Sequence, residues 1–214
     1  MLNYVLTYLS IASMVLTAMV TLLLSNKSYD TGSNYFKIYF VIAAVTDVTL
    51  GILQYNGINN LKVANVFGVA QFFLLSMGLL SWYRSNELRR ILFLILGLTA
   101  LVLAIYVLGN LHKNTLDTYS MTIGNLMLVV LSALVLFQLT GDRTQFLIKN
   151  YRFWFAVSVF LYFTVSSVLL STADILIDEH FYLRRYTWVL NSILSIVANS
   201  LFIKGIICLP LKRT

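Results

Sequence analysis

Seven apolar runs, each of roughly the 20 residues a helix needs to cross a bilayer, constrain this chain more than any other feature. They fall at 2–24, 36–55, 63–82, 91–108, 118–140, 153–172 and 186–209. Inside lipid every backbone N–H and C=O must be satisfied within the spanning structure, which leaves helices or closed barrels. Barrel strands alternate apolar with polar residues over about 10 positions. These runs are continuous and longer. The expected fold is therefore all-α, a polytopic membrane protein of seven transmembrane helices forming a single domain over 1–214.

Composition points the same way. The chain is 59% hydrophobic and 11% charged, against about 25% charged residues in a soluble domain. A soluble fold of this size cannot hide so much apolar side chain. The connectors "SNKSYDTGSN", "NGINN", "YRSNELRR", "GNLHKNTLD", "TGDRTQFLIKNYR" and "STADILIDEHFYLRR" are short and hold most of the charges. No linker is long enough for a second domain. The first run starts at Met1 with no basic segment before it, so it is expected to be a retained span rather than a cleaved signal. The lone Cys208 forms no intramolecular disulfide and no thiolate metal cluster.

Lys and Arg set the expected orientation. Lys62, Lys113, Arg184 and Arg185 fall on one side, and the other 11 of the 15 basic residues fall on the opposite side. The richer side is expected to be cytoplasmic. That places the N-terminus outside and the C-terminus inside, in a cell inner (plasma) membrane. Asp174, Asp178 and Glu179 then lie outside.

An internal duplication is expected from small polar residues. Asn3, Thr7, Ser10 and Thr17 on the first span map onto Thr118, Thr122, Asn125 and Ser132 on the fifth at a shift of 115. The same shift lays Leu16–Ser25 on Leu131–Thr140. Spans 1–3 and 5–7 would then be parallel repeats, at 1–83 and 116–209, joined by a linker helix at 91–108 that faces lipid. This 3+1+3 arrangement also occurs in sugar-exporter and nicotinamide riboside carrier folds, whose signatures this chain lacks. Its only proline, Pro210, lies past the last span.

Polar groups within a membrane are costly and face the bundle interior. Asp47 is the one acidic residue deep in a span, near mid-depth. It is either neutral or partnered, with Asn199 or Gln71 as the nearest expected bonds. With Gln54, Gln71, Asn125, Tyr162, Asn191 and Asn199 it marks a polar pocket that opens outward, with Asp47 at its floor. On the last span Asn191, Ser195 and Asn199 lie within about 60° of Trp188 at 100° per residue, and Lys204 lies about 160° away. Lys204 is expected to snorkel to the headgroups, not to carry a cofactor. The Ser/Thr stripes on spans 1 and 5 are expected to be packing glue, and Gly51, Gly68 and Gly78 to permit close helix approach. Trp188, Tyr186 and Tyr182 are expected to anchor at the outer interface.

The remaining chemistry is defined by what is missing. His112 and His180 are both in outer loops, so no His cluster for a metal lies in the membrane. There are no paired membrane carboxylates, no Ser–His pair at one depth and no phosphate-binding glycine loop. No enzymatic activity, metal or cofactor is expected, and nothing supports nucleic acid binding. The inner basic clusters Arg84, Arg89, Arg90 and Arg143, Lys149, Arg152 are expected to touch lipid headgroups or a cytosolic partner.

The last two spans, "FWFAVSVFLYFTVSSVLL" and "YTWVLNSILSIVANSLFIKGIICL", resemble a family of short seven-span integral membrane proteins common in Bacteroidota. The shared features are a Phe-Trp start to span six, a Tyr-Phe pair within it, a Trp with spaced Asn in span seven and an acidic residue in span two. Where Glu is expected in span three this chain has Gln71, so an acidic pair does not carry over. The resemblance implies a membrane-embedded module that works with signalling proteins. The expected function is a sensor or receptor that binds a small ligand in the outer pocket and signals to a cytosolic partner. The alternative is a small-solute transporter or facilitator of 3+1+3 fold.

Overall fold

The computed structural model describes residues 2–24, 29–110, 117–141, 147–179 and 181–210, with side chains at 5–24, 29–110, 117–141, 147–171 and 187–210. Its elements are α1 (Leu2–Leu23), α2 (Thr31–Tyr55), α3 (Leu61–Leu80), α4 (Asn86–Gly109), α5 (Thr118–Thr140), a 3₁₀ turn at Leu147–Lys149, α6 (Tyr151–Glu179) and α7 (Phe181–Ile207). The described residues contain no strand. Among the described residues, seven helices are long and apolar enough to cross a membrane. The chain is a multi-pass, all-α membrane protein.

Helices α2 and α4 each start five residues before their apolar runs, at polar caps. Asp30 caps α2 by accepting the Ser33 N–H at 2.8 Å. Ser85 caps α4, with Glu87 in the first turn, where a negative charge complements the helix dipole. Helix α2 therefore begins well before the apolar run at 36–55. Asp47 consequently sits past the midpoint of α2, toward its C-terminal end.

Six helices form a ring in the order α1, α2, α3, α5, α6, α7 and back to α1. Helix α4 stands outside it, against α3 and over a smaller area α5. Its buried side chains Leu96, Leu103 and Val107 form one stripe, and Leu94, Leu98, Leu101, Val102 and Ile105 are exposed. An apolar helix with one narrow buried stripe fits a position at the lipid boundary.

The end at which α3, α5 and α7 begin is called the outer end, after the side on which the basic residues place it. The inner half, toward the opposite end, is closed by side chains. Phe36, Phe40, Phe155 and Phe202 pack within ring-centroid distances of 4.7–6.3 Å. Trp82 stacks on Phe36 at 5.2 Å. Lipid is as apolar as these rings, so water exclusion does not drive this layer together. Close contact and ring geometry do. Glycine makes the contact possible. A Cβ on Gly78 would come within 2.7 Å of the Phe36 ring, and one on Gly205 within 2.8 Å of Phe155.

In the Ser/Thr stripes of α1 and α5, Thr17, Thr21 and Ser132 are fully enclosed. Their hydroxyls return to their own helices: Thr17 to Ser13 O, Thr21 to Thr17 O and Ser132 to Val129 O. They allow tight packing without bonding across it. Bonds between helices come from other residues. Ser158 Oγ donates to Ala198 O at 2.7 Å, and Asn199 Nδ2 to Ser13 Oγ at 2.8 Å.

Candidate functional site

The outer half holds a cavity of about 600 Å³. Helices α2, α3, α5, α6 and α7 line it, and Leu103 and Val107 of α4 close the gap between α3 and α5. On α2, α3, α5, α6 and α7 the lining covers only the outer part of the helix. It ends at Phe72 on α3, Leu128 on α5 and Asn191 on α7, and it begins at Asp47 on α2 and Tyr162 on α6. Below those positions lies the aromatic layer, so the cavity is blind at its inner end. Asp47, Tyr162, Asn191 and Gln71 stand at that floor or next to it. The volume falls in the usual range for a small-molecule site.

Five sequence-predicted residues meet here: Asp47, Gln71, Asn125, Tyr162 and Asn191. Tyr162 and Asn191 hydrogen-bond to each other. Asn125 Nδ2 donates to Ser166 Oγ at 3.4 Å. Asp47 has Tyr39 and Tyr162 as electrostatic neighbours, and no described residue gives it a hydrogen bond or an ion pair. The expected bonds from Asn199 or Gln71 to Asp47 are not formed. Phe67, Phe72, Phe163 and Trp188 supply aromatic wall, and half-exposed Trp188 stands among the outermost lining residues of α7. Asn65, whose Oδ1 accepts the Asp117 N–H at 3.1 Å, ties α3 to the start of α5 beside the rim.

Gln54 and Asn199 stand elsewhere. Gln54 is exposed near the end of α2. Asn199 is 2% exposed and joins α7 to α1 through Ser13. One helical stripe thus splits, because α7 turns Asn191 to the cavity while two turns further on it packs against α1. Lys204 is exposed, on the side of α7 away from the cavity.

The inner basic residues also divide. Arg89 and Arg90 are exposed at the start of α4, as are Arg84 and Lys149, and Arg143 lies outside the described residues. Arg152 is different. Its Nη2 lies 3.0 Å from Asp30 Oδ2, and its Nε donates to Tyr151 OH at 3.1 Å. Tyr151 OH donates to Asp30 Oδ2 at 2.7 Å, and Trp82 Nε1 donates to the same oxygen at 3.0 Å. Ser33 gives Asp30 Oδ1 both its N–H and its hydroxyl at 2.8 Å. Burial pushes the Asp30 carboxyl up, but the bonds from Ser33 and Tyr151 and the charge of Arg152 outweigh it and hold its pKa below the ordinary 3.8. This cluster ties the first turns of α2 and α6 to the end of α3, directly beneath the aromatic layer. Sequence patterning misses it because Asp30 reads as one more acid in a polar connector.

Comparison with protein-family models, with curated proteins and with solved structures finds no match for the chain.

Proposed function

We propose that this membrane protein is receptor-like: it takes a small molecule into the outer cavity and reports its presence to a cytosolic partner at the inner face. The observation that carries this is a cavity of about 600 Å³ inside a helix ring, blind at its inner end. A site sealed below by packed rings binds without offering a path through. The same helices that line it, α2, α3 and α6, carry Asp30, Trp82, Tyr151 and Arg152 at their inner ends. A ligand that shifts these helices would be felt at that cluster. The exposed Arg89 and Arg90 provide a basic inner surface for an acidic partner or anionic lipid. The orientation rests on the Lys/Arg asymmetry, and the likeness to the Bacteroidota seven-span family supports a signalling role.

The test is full-length protein in proteoliposomes and in nanodiscs. A receptor binds ligand in nanodiscs yet moves none across a vesicle membrane, and neutralising Arg89 and Arg90 abolishes crosslinking to its partner. Net accumulation of a solute inside vesicles would overturn it. A C-terminal reporter found outside the cell would reverse the two faces.

A carrier is the second reading, favoured by the ring order. Helices α1–α3 and α5–α7 form two consecutive arcs of three, as duplicated units with α4 as linker would. Here the inner cluster is a gate that opens in alternation with the outer mouth. Carrier function predicts uptake that falls in Asp47→Asn.

A further inference from the structure

The described cavity wall holds a single ionisable carboxyl group. Asp47 is its only acidic residue, and no Lys, Arg or His lines it. An anionic ligand would find no described counter-charge there and would meet a carboxylate at the floor. Asp47 itself is unmatched, with no hydrogen bond or ion pair from any described residue. The fold partners a carboxylate fully where its role is structural, as Asp30 shows with Ser33, Trp82, Tyr151 and Arg152. A carboxyl group left unpaired within a membrane span is costly to ionise, and a cation beside Asp47 removes that cost.

The wall also defines the body of the cation. A hard metal ion takes about six oxygen ligands in a compact shell, whereas here the polar groups are spread among apolar and aromatic side chains. Tyr162 stands beside Asp47, and Phe67 and Phe72 line the same cavity. Aromatic faces attract ammonium groups through the ring quadrupole. A space of about 600 Å³ is far larger than one metal ion needs. On the footing that the cavity is the ligand site, we propose that its ligand is an organic monocation, a protonated or quaternary amine on an apolar body, with the nitrogen against Asp47.

Equilibrium binding to the full chain in nanodiscs tests this with three probes of matched body: phenethylamine, 2-phenylethanol and phenylacetate. The amine should bind best and the carboxylate worst. Asp47→Asn should weaken the amine by roughly tenfold or more, the loss expected of one charge-assisted contact, and leave the alcohol unchanged. Asp47→Glu should retain most of the amine binding. Gly124→Leu, which fills the cavity from α5, should weaken every probe that binds. Equal binding of amine and alcohol to the wild type overturns the ligand class without need of any variant. So does amine binding that survives Asp47→Asn, or sodium chloride displacing the amine far more strongly than choline chloride at equal ionic strength. If the alcohol or the carboxylate binds best and is lost in Gly124→Leu, the cavity is the site and only the ligand class fails. Amine binding untouched by Gly124→Leu places the site elsewhere, and no binding of any probe overturns both.

Discussion

Asp30 and Asp47 belong to one helix and have opposite surroundings. Asp30, at the inner start of α2, accepts hydrogen bonds from Ser33, Trp82, Tyr151 and Arg152. Asp47, toward the outer end, accepts none from the described residues and looks into a cavity. The helices around them follow the same division. At the inner end Gly78 and Gly205 let aromatic rings meet backbone, and the space is filled. At the outer end Gly124 has only ordinary contacts with Phe72 and Leu103, and the space stays open. The difference teaches that one ring of helices can spend its polar groups in two ways. Paired with each other they fasten helices together, whereas Asp47, unpaired in the cavity, is free for a ligand.

The sharpest way to break this comparison is to remove the fastening. Asp30→Ala strands Arg152 and the Trp82 N–H, and thermal unfolding in detergent should report a loss of about 2–3 kcal/mol. That is less than the 3–5 expected of a fully buried pair, because the side chains of Arg152 and Asp30 are 38% and 30% exposed. No loss of melting temperature would mean the inner end is held by the rings alone. Next in size, Gly205→Ala presses a methyl against Phe155 and should cost about 1–3 kcal/mol by overpacking. Gly124→Ala, its counterpart in the open half, should stay within about 0.5 kcal/mol. Equal costs would show that the outer half is packed as tightly as the inner.

Acid gives a smaller effect with a defined sign. The folded pKa of Asp30 lies below its ordinary value of 3.8, so its charged form is favoured by folding. That stabilisation is fully present above the unfolded value and is lost as pH falls from there through the folded pKa. Melting temperature should therefore drop below about pH 4, and Asp30→Asn should remove that part of the drop. The smallest stability change is expected at the other carboxylate. Asp47→Asn removes no bond, and its melting temperature should match or slightly exceed the wild type, within about 0.5 kcal/mol. A loss as large as that of Asp30→Ala would mean that Asp47 has a structural partner.

Much of the architecture was legible because hydropathy is a local property. A run of apolar residues either spans a bilayer or does not, and the seven runs match seven helices. Helix α4, the plainest of the runs, stands outside the ring. Asp47, Gln71, Asn125, Tyr162 and Asn191 could be singled out because polar side chains within apolar runs face inward. Their meeting in one cavity was not contained in those patterns. Asn191 and Asn199 share a stripe on α7, and only packing against α1 separates the cavity residue from the one bonded to Ser13. Arg152 resembles its basic neighbours until a partner from α2 pairs with it.

By itself, then, the sequence determined an all-α chain with seven spans, a basic end, and a short set of buried polar residues. The tertiary structure alone decided that the outer half stays open, that the inner half closes, and which carboxylate each half receives. The reason is range. Spanning depends on about 20 consecutive residues, whereas the bonds to Asp30 join positions 52, 121 and 122 residues apart, and no local period records which distant side chain arrives.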